Sequence, residues 1–306
     1  MAEFVTVADG LRFPEGPVVM PDGSVILTEI ARGRITRVGA DGSKEVVAQT
    51  GGGPNGLAIG PDGKLYCCNN GGFEYLDSGG YLVPHGIAKD YTGGRIERID
   101  IETGEVEILY NSGDFGCVLR GPNDIVFDEH GGFWFTDHGK QDFEKRCHDI
   151  VGIFYAKADG SHLEEVIFPS NNPNGIGLSP DGSALYAAET YTCRLMKFNI
   201  TAPGKVAPDA GPGGPGIPLY RPAGYKFFDS LGMEASGNIC VATIGECGIS
   251  VISPVGELVE FVATDDIFTT NIAFGGPDMM DAYITLSGSG RLVKTRWARP
   301  GLKLQY

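Results

Sequence analysis

No stretch of this chain is apolar for the roughly 18 to 20 residues that a membrane-spanning helix needs, and no segment sustains a helical period. The opening Met1-Ala2-Glu3-Phe4-Val5 lacks the basic start and apolar run of a secretory signal. Cations are scarce: 24 Lys and Arg stand against 39 Asp and Glu, for a net charge of −15. Nucleic acid and anionic membrane both require clustered Lys and Arg, so neither is an expected partner, and a small molecule is. Cysteine is sparse, odd in number and irregular: seven residues, with no CxxC pair. That excludes a disulfide framework and points to free thiols in a reducing cytoplasm. Cys67 and Cys68 are adjacent in an alternating stretch, so they face opposite ways and do not bond to each other. Histidine is limited to five residues with no two at ligand spacing, which argues against a histidine metal site. Gly51-Gly52-Gly53 is followed by neither a lysine nor a helical pattern, so it is not a phosphate loop.

Glycine and proline are plentiful instead, at 47 and 19, and they fall in a repeat. A polar residue opens a short apolar run, a turn follows, and a second apolar run returns. Glu15-Gly16-Pro17-Val18-Val19 leads through Pro21-Asp22-Gly23 to Val25-Ile26-Leu27, and Asn55-Gly56-Leu57-Ala58-Ile59 through Pro61-Asp62-Gly63 to Leu65-Tyr66. Further copies begin at Asn123, Asn174, Asp229 and Asn271. Where the turn reads Pro-Asp-Gly, as also at Pro180-Asp181-Gly182, Pro presets φ, Asp bonds its own backbone and Gly accepts the strained position, which makes a hairpin turn. Additional strand pairs follow each copy, such as Arg34–Val38 with Glu45–Val47. Six units of about four strands predict an all-β fold, one six-bladed β-propeller spanning residues 1–306.

The register carries the functional reading. In every copy the polar residue lies seven positions before the same turn position, from 15 to 22, 55 to 62, 123 to 130, 174 to 181, 229 to 236 and 271 to 278. The first strand of a propeller blade lines the central channel, so Glu15, Asn55, Asn123, Asn174, Asp229 and Asn271 are expected as a ring at one end. Only carboxylates and amides occupy the ring. These are hard oxygen donors, suited to one divalent cation, Ca²⁺ first, with Mg²⁺, Mn²⁺, Fe²⁺ or Zn²⁺ as alternatives. Two converging carboxylates repel unless a cation or proton lies between them. A bound cation polarises a carbonyl or phosphoryl oxygen and acidifies water, and a nearby carboxylate such as Asp229 serves as base or nucleophile. Hydrolysis of an ester-like bond is the natural reaction class.

Copies are spaced 40 to 68 residues apart, and the longest insertions lie at 71–93, 139–149 and 201–226. Insertions on the ring side would roof a pocket. Phe143, Phe227 and Phe228 are candidates for its walls, His138 for its interior, and Trp134 for the core, while His85, His130, His148 and His162 read as turn or loop residues.

The segments Phe13-Pro14-Glu15-Gly16-Pro17, Gly121-Pro122-Asn123-Asp124, Phe135-Thr136-Asp137, Pro173-Asn174-Gly175 and Thr270-Asn271-Ile272-Ala273-Phe274-Gly275-Gly276 resemble those of the SMP-30/gluconolactonase/luciferin-regenerating-enzyme family. The resemblance implies a six-bladed propeller, a divalent metal and hydrolysis of sugar lactones or related esters, with organophosphates as substrates of some relatives. By it, Glu15, Asn123, Asn174 and Asp229 match the metal ligands, and Asp229 also the base or nucleophile. Asn55 and Asn271 then line the substrate site or bind through water. Animal gluconolactonases place a sugar-binding Arg two residues before the third ring position; Gly121 stands there, so Arg120 is the candidate contact. Ala188-Glu189-Thr190-Tyr191 with Arg194 also resembles strictosidine-synthase-like propellers, and Glu189 reads as a hydrogen-bonded strand residue. The expected activity is that of a metal-dependent, gluconolactonase-like lactonase. The alternatives are a calcium-stabilised binding propeller without catalysis and a phosphotriesterase-like hydrolase.

Overall fold

Pro-Asp-Gly and its variants close the first hairpin of each repeat as expected. Gly63 N–H donates to the Gly60 carbonyl at 2.9 Å with φ +74°, a left-handed value that glycine adopts without strain. The computed structural model describes residues 3–208 and 216–306. The hairpins extend into six antiparallel sheets. The first blade runs through Pro14–Val19, Val25–Glu29, Arg34–Val38 and Lys44–Gln49. The second and third begin at Pro54–Ile59 and Pro122–Phe127, the fourth and fifth at Pro173–Leu178 and Phe227–Met233. The sixth takes Thr269–Gly275, Asp281–Leu286 and Arg291–Arg296, and its outer strand is Val5–Ala8 from the other end of the chain. This exchange closes the ring, because each inner strand packs on the next and Thr269–Gly275 packs back on Pro14–Val19.

Six apolar cores lie between neighbouring blades. Tyr66, Phe127 and Phe133 fill the gap between blades two and three, and Trp134, Leu185 and Phe198 the gap between three and four. Second strands are therefore covered on both faces, and Val25–Glu29 and Gly132–Asp137 are buried throughout. Cys68 packs in the core between blades two and three, and Cys67 in the core between one and two. All seven cysteines are free. No helix among the described residues is long and apolar enough to cross a membrane.

Blades are also pegged together by hydroxyls. Thr28 Oγ1 donates to the Asn55 carbonyl at 3.0 Å, and Thr136 Oγ1 to the Asn174 carbonyl at 2.5 Å while accepting from Asp124 N–H at 3.1 Å. Each peg holds the backbone of a ring residue in the next blade. Thr136→Val keeps the shape but leaves a buried carbonyl and amide unpaired, so a loss of about 1–3 kcal/mol is expected in chemical denaturation. A variant as stable as the parent would show that the peg is dispensable.

Strand direction decides where the insertions go. Inner strands start at the ring end, so links between second and third strands also lie there, and links between third and fourth strands lie at the opposite end. The first insertion forms a hairpin, Phe73–Ser78 with Tyr81–Ile87, and the second a small pair, Gln141–Asp142 with Cys147–His148. Both stand over the ring end. The third behaves differently: Lys205–Val206 pairs with Arg194–Ala202 at its far end, and Ile217–Tyr220 returns as a strand of blade four. Its described stretches at 201–208 and 216–220 thus form no roof. Residues 209–215 of it lie outside the described residues.

Candidate active site

A β-bulge places each ring residue. In all six blades the pairing of first and second strands shifts register at the start of the inner strand, between Glu15 and Val18, Pro54 and Leu57, Pro122 and Ile125, Pro173 and Ile176, Phe228 and Leu231, and Thr269 and Asn271. A bulge increases local twist and redirects a side chain, here towards the channel axis. At three of the bulges, Gly16, Gly56 and Gly175, the neighbouring inner strand approaches too closely for a side chain. A Cβ on Gly175 would stand 2.6 Å from Leu231 N and 2.7 Å from the Asp229 carbonyl oxygen.

Five of the ring residues, Glu15, Asn55, Asn123, Asn174 and Asp229, line the floor of a cavity of about 430 Å³. All five are buried. Glu15 Oε2 accepts from Gly16 N–H at 2.9 Å and from Asn271 Nδ2 at 2.8 Å. Asn174 Oδ1 accepts from Ser230 Oγ at 3.4 Å, and its Nδ2 donates to Thr190 Oγ1 at 3.3 Å. Asn123 Oδ1 is buried and has no hydrogen-bond partner. Burial raises the pKa of Glu15 against the hydrogen bonds from Asn271 and Gly16. Burial and then the Glu15 charge raise that of Asp229 well above the carboxylate range. An unpartnered amide oxygen lining the same cavity as two mutually repelling carboxylates makes a cluster of donors short of positive charge. Glu15, Asn123, Asn174 and Asp229 therefore fit a hard divalent cation.

The remaining candidates divide. His138 lines the cavity, its Nδ1 is buried without a partner, and burial with the nearby Lys140 charge pushes its pKa down to about 4. Asn271 is not among the lining residues; it turns sideways to hold Glu15. Arg120 is half-exposed, reaches out to Asp149 at 3.6 Å and is also absent from the cavity wall. Phe143 and Phe227 line the cavity, whereas Phe228 is fully buried between blades beside Tyr220. Glu189 is the strand residue expected of it, with Oε2 accepting from Arg194 Nε at 2.8 Å.

Two polar neighbours escaped the sequence reading. Asp124 occupies the position after the ring residue, where three other copies carry Gly16, Gly56 and Gly175. Its Oδ1 accepts from Ile125 N–H at 2.9 Å, and burial pushes its pKa up to about 7. An acid at a glycine position of the repeat was the available signal. Thr190 lines the cavity and orients Asn174, and nothing in its local sequence distinguishes it.

Residues 13–288 match the SMP-30/Gluconolactonase/LRE-like region. The chain belongs to this family. Lactonase drp35 of Staphylococcus haemolyticus is 30% identical over 256 residues, covering 82% of this chain and 70% of that protein. Among solved structures, a gluconolactonase from Xanthomonas campestris superposes with a TM-score of 0.74 at 20% identity, covering 96% of this chain and 89% of that one. The calcium-binding protein regucalcin from Agrobacterium tumefaciens gives 0.72 at 19% identity, over 99% and 98% of the two chains. These two likenesses concern the fold.

Proposed function

We propose that this family member is a divalent-metal-dependent lactone hydrolase. The observation that carries the reading is the floor of the cavity: two buried carboxylates and an unpartnered amide oxygen converge where a substrate can enter. The drp35 lactonase and the Xanthomonas gluconolactonase support the reaction class by their names. Glu15, Asn123, Asn174 and Asp229 would hold the cation, Ca²⁺ first among the hard ions. When bound, it supplies a Lewis acid for the ester carbonyl and acidifies water.

The chain's own residues do the rest. Asn271 and Gly16 N–H fix the Glu15 carboxylate, and Thr190 with Ser230 fixes the Asn174 amide. Asp229 faces the cavity, where its carboxylate is placed to act as a base for water or a nucleophile towards the acyl carbon. Asn55 and His138 are placed to contact the substrate, His138 as a neutral imidazole at pH 7. The acidic surface and seven free thiols support a small-molecule hydrolase in a reducing compartment such as the cytoplasm.

The test is hydrolysis of a lactone panel by protein stripped with chelator and then reloaded with Ca²⁺, Mg²⁺, Mn²⁺ or Zn²⁺. Activity is expected only after reloading. Equal rates before and after would overturn the metal-dependent reading. Turnover of phosphotriesters alone, or chelator-sensitive stability without any hydrolysis, would favour the two alternatives.

A further inference from the structure

The walls of the cavity differ in kind from its floor. Phe13, Ile30, Phe73 and Val83 line the inner wall, and Phe143, Tyr191, Phe227 and Ile267 stand around the mouth. Three of these mouth residues are open to solvent: Phe143 at 57%, Tyr191 at 43% and Ile267 at 41% exposure. Large apolar side chains left exposed around a concave polar floor mark a surface that an apolar partner covers. Their rings form connected pairs, with Tyr191 to Phe227 centroids 6.2 Å apart and His138 to Tyr191 5.8 Å. Phe143 stacks on His85 of the hairpin at 5.3 Å, joining the two roof insertions into one wall.

Cations are withheld from the same space. Among the described residues, neither Lys nor Arg lines the cavity. Lys140, beside the lining residue Gly139, is buried beneath the hairpin. Its Nζ donates to the Gly72 carbonyl at 2.8 Å and to Asn70 Oδ1 at 3.2 Å, and it lies 3.7 Å from the centre of the Phe73 ring. Arg120 is directed outward to Asp149. Neither can bind the carboxylate of a sugar acid, and the wall offers few donors for a polyol. His138, Gln141, Thr190 and the Tyr191 hydroxyl are the polar side-chain groups of the wall above the floor.

Resting on the hydrolase reading above, we infer that the substrate is an uncharged lactone bearing an apolar alkyl or aryl substituent, not a polyhydroxylated sugar lactone. The ester group meets the Asp229 and Asn123 floor, and the substituent extends along Phe73, Phe143, Tyr191 and Phe227 towards the mouth. Each methylene taken from water into such a wall is worth about a three- to fourfold gain in kcat/KM.

The metal-loaded protein is assayed on γ-butyrolactone, γ-hexalactone, γ-octalactone and γ-decalactone, on dihydrocoumarin, and on D-glucono-1,5-lactone. The expected result is a rise of kcat/KM by at least about tenfold from four to eight carbons, with the gluconolactone below every substituted lactone. Phe143→Ala and Tyr191→Ser each lower the ratio of octalactone to butyrolactone activity about three- to tenfold. A gluconolactone preference, or a flat chain-length series, overturns the inference while leaving lactone hydrolysis intact. If no lactone is hydrolysed, the hydrolase reading fails, and the wall is then judged by calorimetric titration with 2-hexylcyclopentanone against glucose. Binding of the ketone alone upholds an apolar occupant; binding of neither, or of glucose alone, removes it.

Discussion

Asp229→Asn is expected to lower lactone turnover by about 10²- to 10⁴-fold, the contribution of a positioned base, while the propeller remains folded. Asn fills the same volume and still offers Oδ1 as an oxygen donor, so the substitution removes charge and basicity more than shape. The fall should appear mainly in kcat, because the apolar wall that binds the substrate body is untouched. In the metal-free protein the same variant should be more stable than the parent. Asp229 is buried next to the Glu15 charge, and neutralising it relieves a repulsion that a cation or a bound proton otherwise offsets. Steady-state kinetics on the loaded protein and thermal unfolding of the stripped protein measure the two effects. A variant retaining more than about a tenth of parental kcat would show that Asp229 is neither base nor nucleophile.

Metal removal should also change how stability depends on pH. Stripped protein is expected to lose stability as pH rises from 5 to 7, by several °C in Tm, and the loaded protein is not. Folding raises the pKa of Glu15 and Asp229, through burial first, and pushes Asp137 up to about 6 and Asp124 to about 7. The folded chain keeps protons that unfolded carboxyls, titrating near 4, have released. The stability this lends is complete below the unfolded value and disappears as pH climbs through each folded value. His138 opposes the trend, since its pKa is pushed down to about 4 and its neutral burial costs least at higher pH. One imidazole stands against four carboxyls, so the net slope stays negative. Lys140, with a pKa pushed down to about 7 by burial, adds stability with pH only above this window. A bound cation keeps its ligands ionised in the folded state and flattens or reverses the slope. Thermal melts at pH 5, 6 and 7 with and without chelator decide it, and identical slopes would mean that no cation sits between Glu15 and Asp229.

The strand repeat could be read directly because hairpins are local. Pro-Asp-Gly turns and alternating apolar residues need only their neighbours in sequence, and six copies in register imply equivalent places around one axis. The ring followed from that equivalence, and five of its six members do face one cavity. The destination of the described residues 201–208 was open to the same logic. A link between third and fourth strands belongs at the end away from the ring, and the strand Ile217–Tyr220 confirms the parity.

Side-chain direction was not local and could not be read. Asn271 carries the same residue type as Asn55, yet it lies against Glu15 across the closure of the ring, 256 residues away, and is drawn to that carboxylate. Arg120 borders the site in sequence but turns to Asp149 in solvent, where its charge stays hydrated. The apolar wall depends on Phe73 and Phe143 from separate insertions, brought together only when blades two and three are side by side. Turn chemistry and alternation thus specified a propeller and the composition of its polar ring. Blade packing, bulges and roof contacts chose which members face the cavity and what surrounds them, because those choices depend on residues that meet only after the ring has closed.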